Sequence, residues 1–380
     1  MSNTFQHYMD CNKLVMDTIN RQPTDGIPAT FVFVMQHDYL DRLANAKPGE
    51  YVKNPVEVYI EVQRNIGVKM IDQFVPLNPL EMGNSGYEDK LNTATTGADK
   101  IVLDGMLIDS PEAVVEHIEK FVFPQIRQSI TDFDETKIMD SILNGELETQ
   151  QTLGEDFLKC GYGFIYFPYM GYYQYGYENY FMAYALYPEI IEKHFSIQAD
   201  GAVLHNSAVA KLYKQKLLPP FYRLDHDVAD SRGTLVDIKS LDRMWFPHFA
   251  RSLEPLLKTD VKLIWHCDGN LMQMLPRLLE VGLDGFQGFQ YEDGMDYIKI
   301  CKMKTRDGES PIIQAGVSVT TTMPFGTPSD VRNELKFLVE NGPKTGLFLG
   351  ASSSVAPGVP WENVLALVDG LAYYGNGSAR

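Results

Sequence analysis

A histidine, a cysteine, an aspartate and an asparagine lie together in the segment Trp265 to Asn270, which reads WHCDGN. The segment ends an apolar run that begins at Val261, and a short β-branched run of this kind is typical of a strand buried on both faces. Side chains that exchange protons or bind ligands are uncommon in such a strand, so their grouping at its end requires an explanation. The segment therefore predicts an active site, in which His266 and Asp268 share one strand face as an acid/base or hydrogen-bonding pair.

Composition limits the classes of function. The chain has 380 residues, with 33 basic and 50 acidic side chains and a formal charge of −17 at pH 7. Such a charge repels nucleic acid and anionic membrane surfaces. The sequence has neither a secretion signal nor a run of eighteen apolar residues, and its four cysteines are scattered without a CxxC pair. We expect a cytoplasmic protein that binds neither nucleic acid nor membranes.

Short apolar segments alternate with longer amphipathic ones along the chain. The helical periodicity is clearest at Leu271 to Val281, Pro328 to Asn341 and Trp361 to Tyr374. Eight segments are candidate strands: Ala29 to Gln36, Met70 to Pro76, Gly163 to Met170, Phe221 to Val228, Val261 to Asp268, Asp284 to Gln290, Pro311 to Ser318, and Leu347 to Ser353. The alternation predicts an α/β fold of the (β/α)8 TIM-barrel type, with its active site at the C-terminal ends of the strands.

The chain reads as one barrel domain over residues 1–380, with three additions. Residues 1–28 form an N-terminal helical segment, and residues 375–380 form a polar tail. Residues 77–162 exceed what one crossover helix needs, so they predict an insertion or lid between strands two and three. This insertion contains the polar run Met82 to Asp99 and a predicted helix from Pro111 to Ile130.

Polar residues end most of the predicted strands, where a barrel has its cleft. The candidate ligand contacts at these ends are Gln36, His37, His226, Asn270, Gln287, Gln290, Gln314 and Ser353. The three glutamines suit a neutral polar ligand such as a pterin ring or a methoxylated aromatic, because an amide pairs donors with acceptors. Hydrogen bonding at the rim without any ligand is the alternative interpretation. For His266 and Asp268 the alternative is a core histidine beside a structural aspartate.

The order of several short motifs resembles the uroporphyrinogen decarboxylase superfamily, and within it the corrinoid-linked methyltransferases of the methylcobalamin:coenzyme M type. In the C-terminal half these motifs are WHCDGN, GLDGF, QAGV, GTPSDV and LGASSSVAPGVPWENVLALVDGLAYYG. Further motifs are IPATFVFVMQ, KNPVEVYIEVQRNIGVKMID, GYENYFMAYALYPEIIEKHF and HDVADSRGTLVD. The resemblance spans nearly the whole chain. It implies a distorted (β/α)8 barrel with N-terminal helices and a deep cleft.

Decarboxylase members carry an RQAGRY-like segment whose arginines pair with substrate carboxylates. The corresponding segment here reads MQHDYLDRL, with one arginine, Arg42, beside Asp38 and Asp41. A porphyrinogen with eight carboxylates needs several cationic partners, so its decarboxylation is not expected. The resemblance further implies that Asp227, at the place of an acidic pair in relatives, orients substrate or shares a metal with His266. Helix capping is the alternative for Asp227.

Methyltransferase relatives carry an HxC pair on strand five and a cysteine on strand eight, which hold zinc. The resemblance places the histidine at His266, the first cysteine at Asp268 and the second at Ser353, so both thiolates are replaced. His266 and Asp268 would offer harder ligands than thiolates do, and such a site could hold zinc, another divalent ion or nothing. Cys267 is one residue out of register and should point away. Glu178 matches a glutamate of relatives and either faces the cleft or lies on a solvated helix.

The resemblance implies an enzyme that moves a methyl group between a small molecule and a corrinoid protein. The corrinoid is then a cofactor carried by this partner, and the small molecule carries a methoxy, methylamino or pterin group. A demethylation of this kind belongs to one-carbon metabolism. Homodimers occur among the decarboxylase relatives. The second hypothesis is a lyase of the decarboxylase type without a cofactor, or a barrel that binds a small molecule without catalysis.

Overall fold

Short parallel strands form a ring at the centre of the protein within residues 4–77 and 100–377, the part of the chain that this computed structural model describes. The strands are β1 (Ala29–Thr30), β2 (Val68–Ile71), β3 (Leu158–Lys159), β4 (Gly161–Tyr162), β5 (Phe221–Asp225), β6 (Lys262–His266), β7 (Gly285–Gln287), β8 (Ile312–Val317) and β9 (Leu347–Ala351). They pair in the order β3-β2-β1-β9-β8-β7-β6-β5-β4. Since only Cys160 separates β3 from β4, the ring of eight strand positions nearly closes, and the predicted TIM-type barrel is confirmed.

The position of the third strand was predicted wrongly. The strand lies at β3 and β4, before the predicted segment Gly163 to Met170, which has no regular structure. Backbone groups of that segment bond to side chains instead of to a neighbouring strand. Two of its N–H groups donate to the Tyr222 hydroxyl at 2.7 Å. Another donates to Asn206 Oδ1 at 3.0 Å, and the Met170 N–H donates to His226 Nε2 at 3.0 Å. Side chains distant in sequence thus decide the conformation of this apolar segment.

Helices surround the ring and connect its strands. The α-helices of the described residues are Phe5–Cys11, Lys13–Ile19, His37–Leu43, Glu50–Lys53, Pro55–Ile66, Pro111–His117, Phe123–Thr131, Glu135–Leu153, Tyr172–Tyr175, Tyr177–Leu186, Pro188–Lys214, Ile238–Met244, Phe246–Leu253, Leu275–Val281, Tyr297–Cys301, Thr322–Phe325, Pro328–Asn341 and Trp361–Gly375. A π-helical turn, Ile118–Val122, and two 3-10 turns, Leu256–Lys258 and Tyr291–Asp293, complete the helical structure. Two hairpins pair Val102–Leu103 with Met106–Leu107 and Ala229–Asp230 with Gly233–Thr234.

The additions predicted from the sequence have definite places. Two helices, Phe5–Cys11 and Lys13–Ile19, stand before β1. The insertion between the second and third strand positions contains the helix Pro111–His117, which continues through the π-helical turn into Phe123–Thr131. The polar run Met82 to Asp99 lies outside the described residues. No helix in residues 4–77 and 100–377 is long and apolar enough to cross a membrane.

Helix starts in the second half follow their sequence signals. At Pro328–Asn341 the Thr327 hydroxyl accepts the Asp330 N–H, and the Asp330 carboxylate accepts the Thr327 N–H at 2.8 Å. This reciprocal capping satisfies two donors that a helix start leaves free. The β8 strand before it is buried along its whole length. Fixed helix starts and buried strands hold the C-terminal ends of the strands, and the side chains there, in place.

Candidate active site

Four polar side chains from consecutive strands form one layer across the barrel. Asp225 on β5 is the register partner of His266 on β6, which partners Gln287 on β7, which in turn partners Gln314 on β8. Register partners on parallel strands point to the same side of the sheet. All four line one cavity of about 120 Å³. The strand register therefore brings the predicted residues His266, Gln287 and Gln314 together with Asp225.

A buried ion pair lies deeper in the same cavity. Arg223, two residues before Asp225 on β5, is 4% exposed, and its Nε atom lies 2.7 Å from Asp72 Oδ2. Its terminal nitrogens also contact Gln73 Oε1 at 3.1 Å and Gln287 Oε1 at 3.4 Å. A buried charge needs a partner of this kind because removal from water is costly. The guanidinium is thus neutralised where it stands and is not free to clamp a polyanion.

Asp227 and Asp268 meet at the rim of the layer. The Asp268 N–H donates to Asp227 Oδ1 at 3.0 Å, and His266 Nε2 lies 4.0 Å from Asp268 Oδ1. The Asp268 carboxylate accepts a hydrogen bond from Gln290 Nε2 at 2.7 Å and one from the Ser353 hydroxyl at 3.5 Å. His266 and Asp268 are therefore close but not hydrogen bonded to each other, and neutral donors hold Asp268.

The rim carries an excess of negative charge. Burial raises the pKa of Asp227, the carboxylates of Asp268 and Asp225 raise it further, and the Asp268 N–H and His266 lower it. Asp225 accepts a hydrogen bond from the Tyr162 hydroxyl at 2.9 Å, and an Arg223 nitrogen lies 3.5 Å away. Carboxylates crowded in a partly buried place favour a positively charged neighbour. The site is arranged for a proton or a cation.

A glycine gives the His266 ring its room. Gly288 has φ +83°, and a Cβ atom there would lie 2.7 Å from His266 Nδ1. That nitrogen is buried and has no hydrogen-bond partner among the described residues. Residue 288 must therefore lack a side chain for the ring to lie in the layer.

Several predicted site residues lie outside the cavity. Gln36 bonds to Asp38 and to the Gly358 N–H, and the His37 ring packs on Tyr51. Asn270 donates to the Asp293 carbonyl and accepts the Met272 N–H. Glu178 is exposed on the helix Tyr177–Leu186. None of these four side chains lines the cavity.

His226 has a structural role that its sequence position does not reveal. The ring is buried, accepts the Met170 N–H, and stacks against Tyr172 with centroids 5.9 Å apart. Burial lowers the pKa of His226 to about 3. A neutral imidazole is needed to accept the Met170 N–H, so His226 fixes the segment after β4 and does not enter the cavity.

Sequence reasoning missed the deepest part of the site. Asp72, Gln73, Arg223 and Asp225 line the cavity together with Phe31 and Phe33. A signal was available in the apolar strand FYRLD, because a charged residue inside a buried strand needs a buried partner. The partner itself was not visible, since Asp72 directly follows another strand, β2, about 150 residues earlier in the chain.

The residues do not fit a zinc ion held by thiolates. Cys267 is fully buried away from the cavity, accepts the Val228 N–H at 3.2 Å, and donates to the Asp268 carbonyl at 3.0 Å. Burial raises the pKa of this thiol well above its usual value. A group that could hold a harder ion exists instead, since ligand atoms of Asp225, Asp227 and His266 all lie within 4.8 Å of one another. Asp268, predicted to share such a site with His266, is not part of this group.

Fold and site together define a TIM-type barrel with an acidic cleft at the C-terminal ends of its strands. Residues 227–373 match the family model of uroporphyrinogen decarboxylase, which confirms the predicted resemblance to that superfamily. The matched part includes β6 to β9 and therefore His266, Asp268, Gln287, Gln290 and Gln314. No protein of curated function matches the sequence.

A solved structure shares the fold along nearly the whole chain. It is a methyltransferase from Methanosarcina mazei, which is 14% identical in sequence and superposes with a TM-score of 0.57. The alignment covers 96% of this chain and 98% of the methyltransferase. At this identity the likeness concerns the barrel and its additions, and the chemistry has to be argued from the cleft.

Proposed function

We propose that this protein is an enzyme that moves a methyl group between a small molecule and a corrinoid protein. The observation that carries the proposal is the layer of Asp225, His266, Gln287 and Gln314, which places an imidazole, a carboxylate and two amides in one small cavity. The decarboxylase-family match and the methyltransferase fold are consistent with this proposal. The corrinoid, when bound by the partner, supplies the nucleophile or the methyl group.

The cleft argues against a porphyrinogen substrate. Such a substrate presents many carboxylates, whereas the rim presents Asp225, Asp227 and Asp268. The cavity guanidinium, Arg223, is already paired with Asp72. A cavity of about 120 Å³ is also smaller than the 150 Å³ or so that holds a benzene ring. A small molecule that places only its methyl-bearing end in the cavity fits better.

The side chains have distinct roles in this proposal. His266, or an ion that it holds with Asp225 and Asp227, would assist the departure of the heteroatom, because an alkoxide or amide anion leaves poorly. Asp227 and Asp268 would set the charge around the ring, and Gln290 and Ser353 would hold Asp268 in position. Gln287 and Gln314 would orient the bound molecule. None of the four cysteines forms a disulfide, which suits the cytoplasmic setting that we propose.

The visible spectrum of a corrinoid tests the proposal. Purified protein would be incubated anaerobically with cob(I)alamin and one donor at a time: an aromatic methyl ether, a methylamine, betaine or methyltetrahydrofolate. Conversion of cob(I)alamin to methylcob(III)alamin with one donor, and not without protein, is the expected result. Unchanged spectra with every donor and in the reverse direction would favour the lyase or the non-catalytic binding barrel instead.

A further inference from the structure

We propose that the cleft recognises a small methylated ammonium ion, in which the methyl groups are carried by a positively charged nitrogen. The inference rests on the proposed methyl transfer and names its substrate class. It narrows the donors that the sequence left open, because methyl ethers and pterins present no such charge.

The first support is the balance of charge among the side chains that line the cavity. Arg223 is the single cationic residue among the described lining residues, and its closest carboxylate is Asp72 at 2.7 Å. Both side chains of this pair are less than 5% exposed. The pair neutralises itself, so the charge of Asp225 is only partly balanced by the more distant Arg223 nitrogen, at 3.5 Å.

The rim carboxylates are held by neutral donors. Asp227 accepts the Asp268 N–H at 3.0 Å and the Tyr173 hydroxyl at 3.3 Å. Asp268 accepts hydrogen bonds from Gln290 and Ser353. Neutral donors fix the orientation of a carboxylate without cancelling its charge. The opening of the cavity is therefore negative and accessible to a cation.

Aromatic rings stand beside these carboxylates. Phe31 and Phe33 line the cavity. The Tyr173 ring, which is exposed, stands beside Asp227, since its hydroxyl donates to the Asp227 carboxylate. Aromatic faces attract ammonium groups and also pack against their methyl groups, which a water-covered metal ion cannot exploit. Rings and carboxylates together match an organic cation.

An unused acceptor inside the cavity is independent support. Gln314 is 4% exposed, and its Oε1 atom is buried without a hydrogen-bond partner among the described residues. A buried carbonyl without a donor is costly, so a ligand that brings an N–H group would be stabilised there. A protonated mono-, di- or trimethylamine has such a group, and it is small enough for a cavity of about 120 Å³.

The charge also suits the reaction. When the methyl group passes from nitrogen to the cob(I)alamin-type nucleophile of the partner protein, the C–N bond breaks and its electron pair stays on nitrogen. A cationic nitrogen then leaves as a neutral amine. The carboxylates, together with His266 as a proton donor in the cavity, would hold the amine in this protonated form, from which the leaving group departs as a neutral molecule.

Calorimetry with charge-matched ligands tests the inference without any corrinoid. The full chain, stripped of metal with a chelator, would be titrated with trimethylammonium, with tert-butanol as its uncharged counterpart of similar shape, and with tetramethylammonium, which is charged but has no N–H group. We expect trimethylammonium to bind roughly tenfold or more tightly than tert-butanol. Asp227→Asn should remove most of that preference. Asp242→Asn, a carboxylate paired with Arg277 outside the cavity, is the control and should keep it.

Equal affinity for trimethylammonium and tert-butanol, or an unchanged preference in Asp227→Asn, would overturn the inference. So would one-to-one binding of Mn²⁺ or Zn²⁺ that is lost in Asp225→Asn while no ammonium ion binds, since the carboxylates would then form a metal site. The corrinoid spectra separate the two proposals. Cation binding without methyl transfer contradicts only the proposed function, and methyl transfer from an ether without cation binding contradicts only this inference.

Discussion

Arg223 and Asp72 show how single residues hold the floor of the cleft. A guanidinium and a carboxylate that are both almost completely buried stabilise each other, and removal of one leaves the other without a partner. The sequence indicated one partner of the pair, since Arg223 stands inside the apolar strand FYRLD. The other partner, Asp72, could be identified only from the pairing of strands in the three-dimensional fold.

Arg223→Met is expected to lower the free energy of unfolding by roughly 3–5 kcal/mol, because Asp72 would remain buried and charged. Urea denaturation followed by circular dichroism measures this loss. Arg232→Met is the control: its side chain is 87% exposed in its pair with Asp230, so a change below about 1 kcal/mol is expected. Similar small losses in both variants would mean that Asp72 finds another partner.

His226 is a single residue that makes the folding stability of the protein depend on pH. Its pKa is lowered by burial from 6.5 to about 3, and burial also lowers the pKa of His194 to about 4. The unfolded chain therefore binds more protons than the folded chain between these values and 6.5, and stability falls as the pH is lowered through this range. Above about pH 6.5 the contribution is complete.

His226→Gln should flatten this pH dependence. The glutamine amide oxygen can still accept the Met170 N–H, but it does not titrate. Thermal unfolding between pH 7 and pH 4 would show a smaller decrease in melting temperature than the wild type shows, with His194 and His205 among the groups that account for the remainder. An identical decrease in both proteins would contradict the assignment of His226 as a buried neutral ring.

At the scale of elements, apolar runs predicted most of the barrel strands but not their lengths. Seven of the eight predicted segments overlap an observed strand, and the helix Pro328–Asn341 has the predicted bounds. The third strand failed because its residues, LKCGY, look no more strand-like than the aromatic segment that follows. Backbone N–H groups of that segment donate to the side chains of Tyr222, Asn206 and His226, and these bonds hold it as an irregular loop. No local pattern in the sequence predicts them.

Asn206→Ala tests the importance of these side chains for the loop. Asn206 is completely buried and bonds to the backbone N–H and carbonyl of Tyr166 and to the Ser252 carbonyl. Loss of these bonds should lower the free energy of unfolding by roughly 2–4 kcal/mol in urea denaturation. Gln198→Ala removes a similar pair of bonds to Tyr169 at a more exposed point and should cost about 1 kcal/mol or less. Equal losses would mean that burial of the Asn206 bonds adds nothing.

At the scale of the whole molecule, the ring of strands explains why part of the site was predictable. Side chains at the C-terminal ends of parallel strands meet at one rim, so His266, Asp227, Gln287 and Gln314 could be grouped from the sequence. Gln36, His37 and Asn270 obeyed the same pattern but contact other residues outside the cavity. Strand ends indicate which residues can reach a cleft, and packing decides which of them do.

One measurement tests the central claim, that the imidazole beside these carboxylates serves chemistry. The rate of cob(I)alamin methylation by the best donor would be compared in wild type and His266→Ala, with the thermal midpoint of each protein measured in parallel. We predict a loss of activity of roughly 100-fold or more with the fold intact. Retained activity, or a loss of thermal stability that matches the loss of activity, would make residue 266 a core histidine and contradict the account.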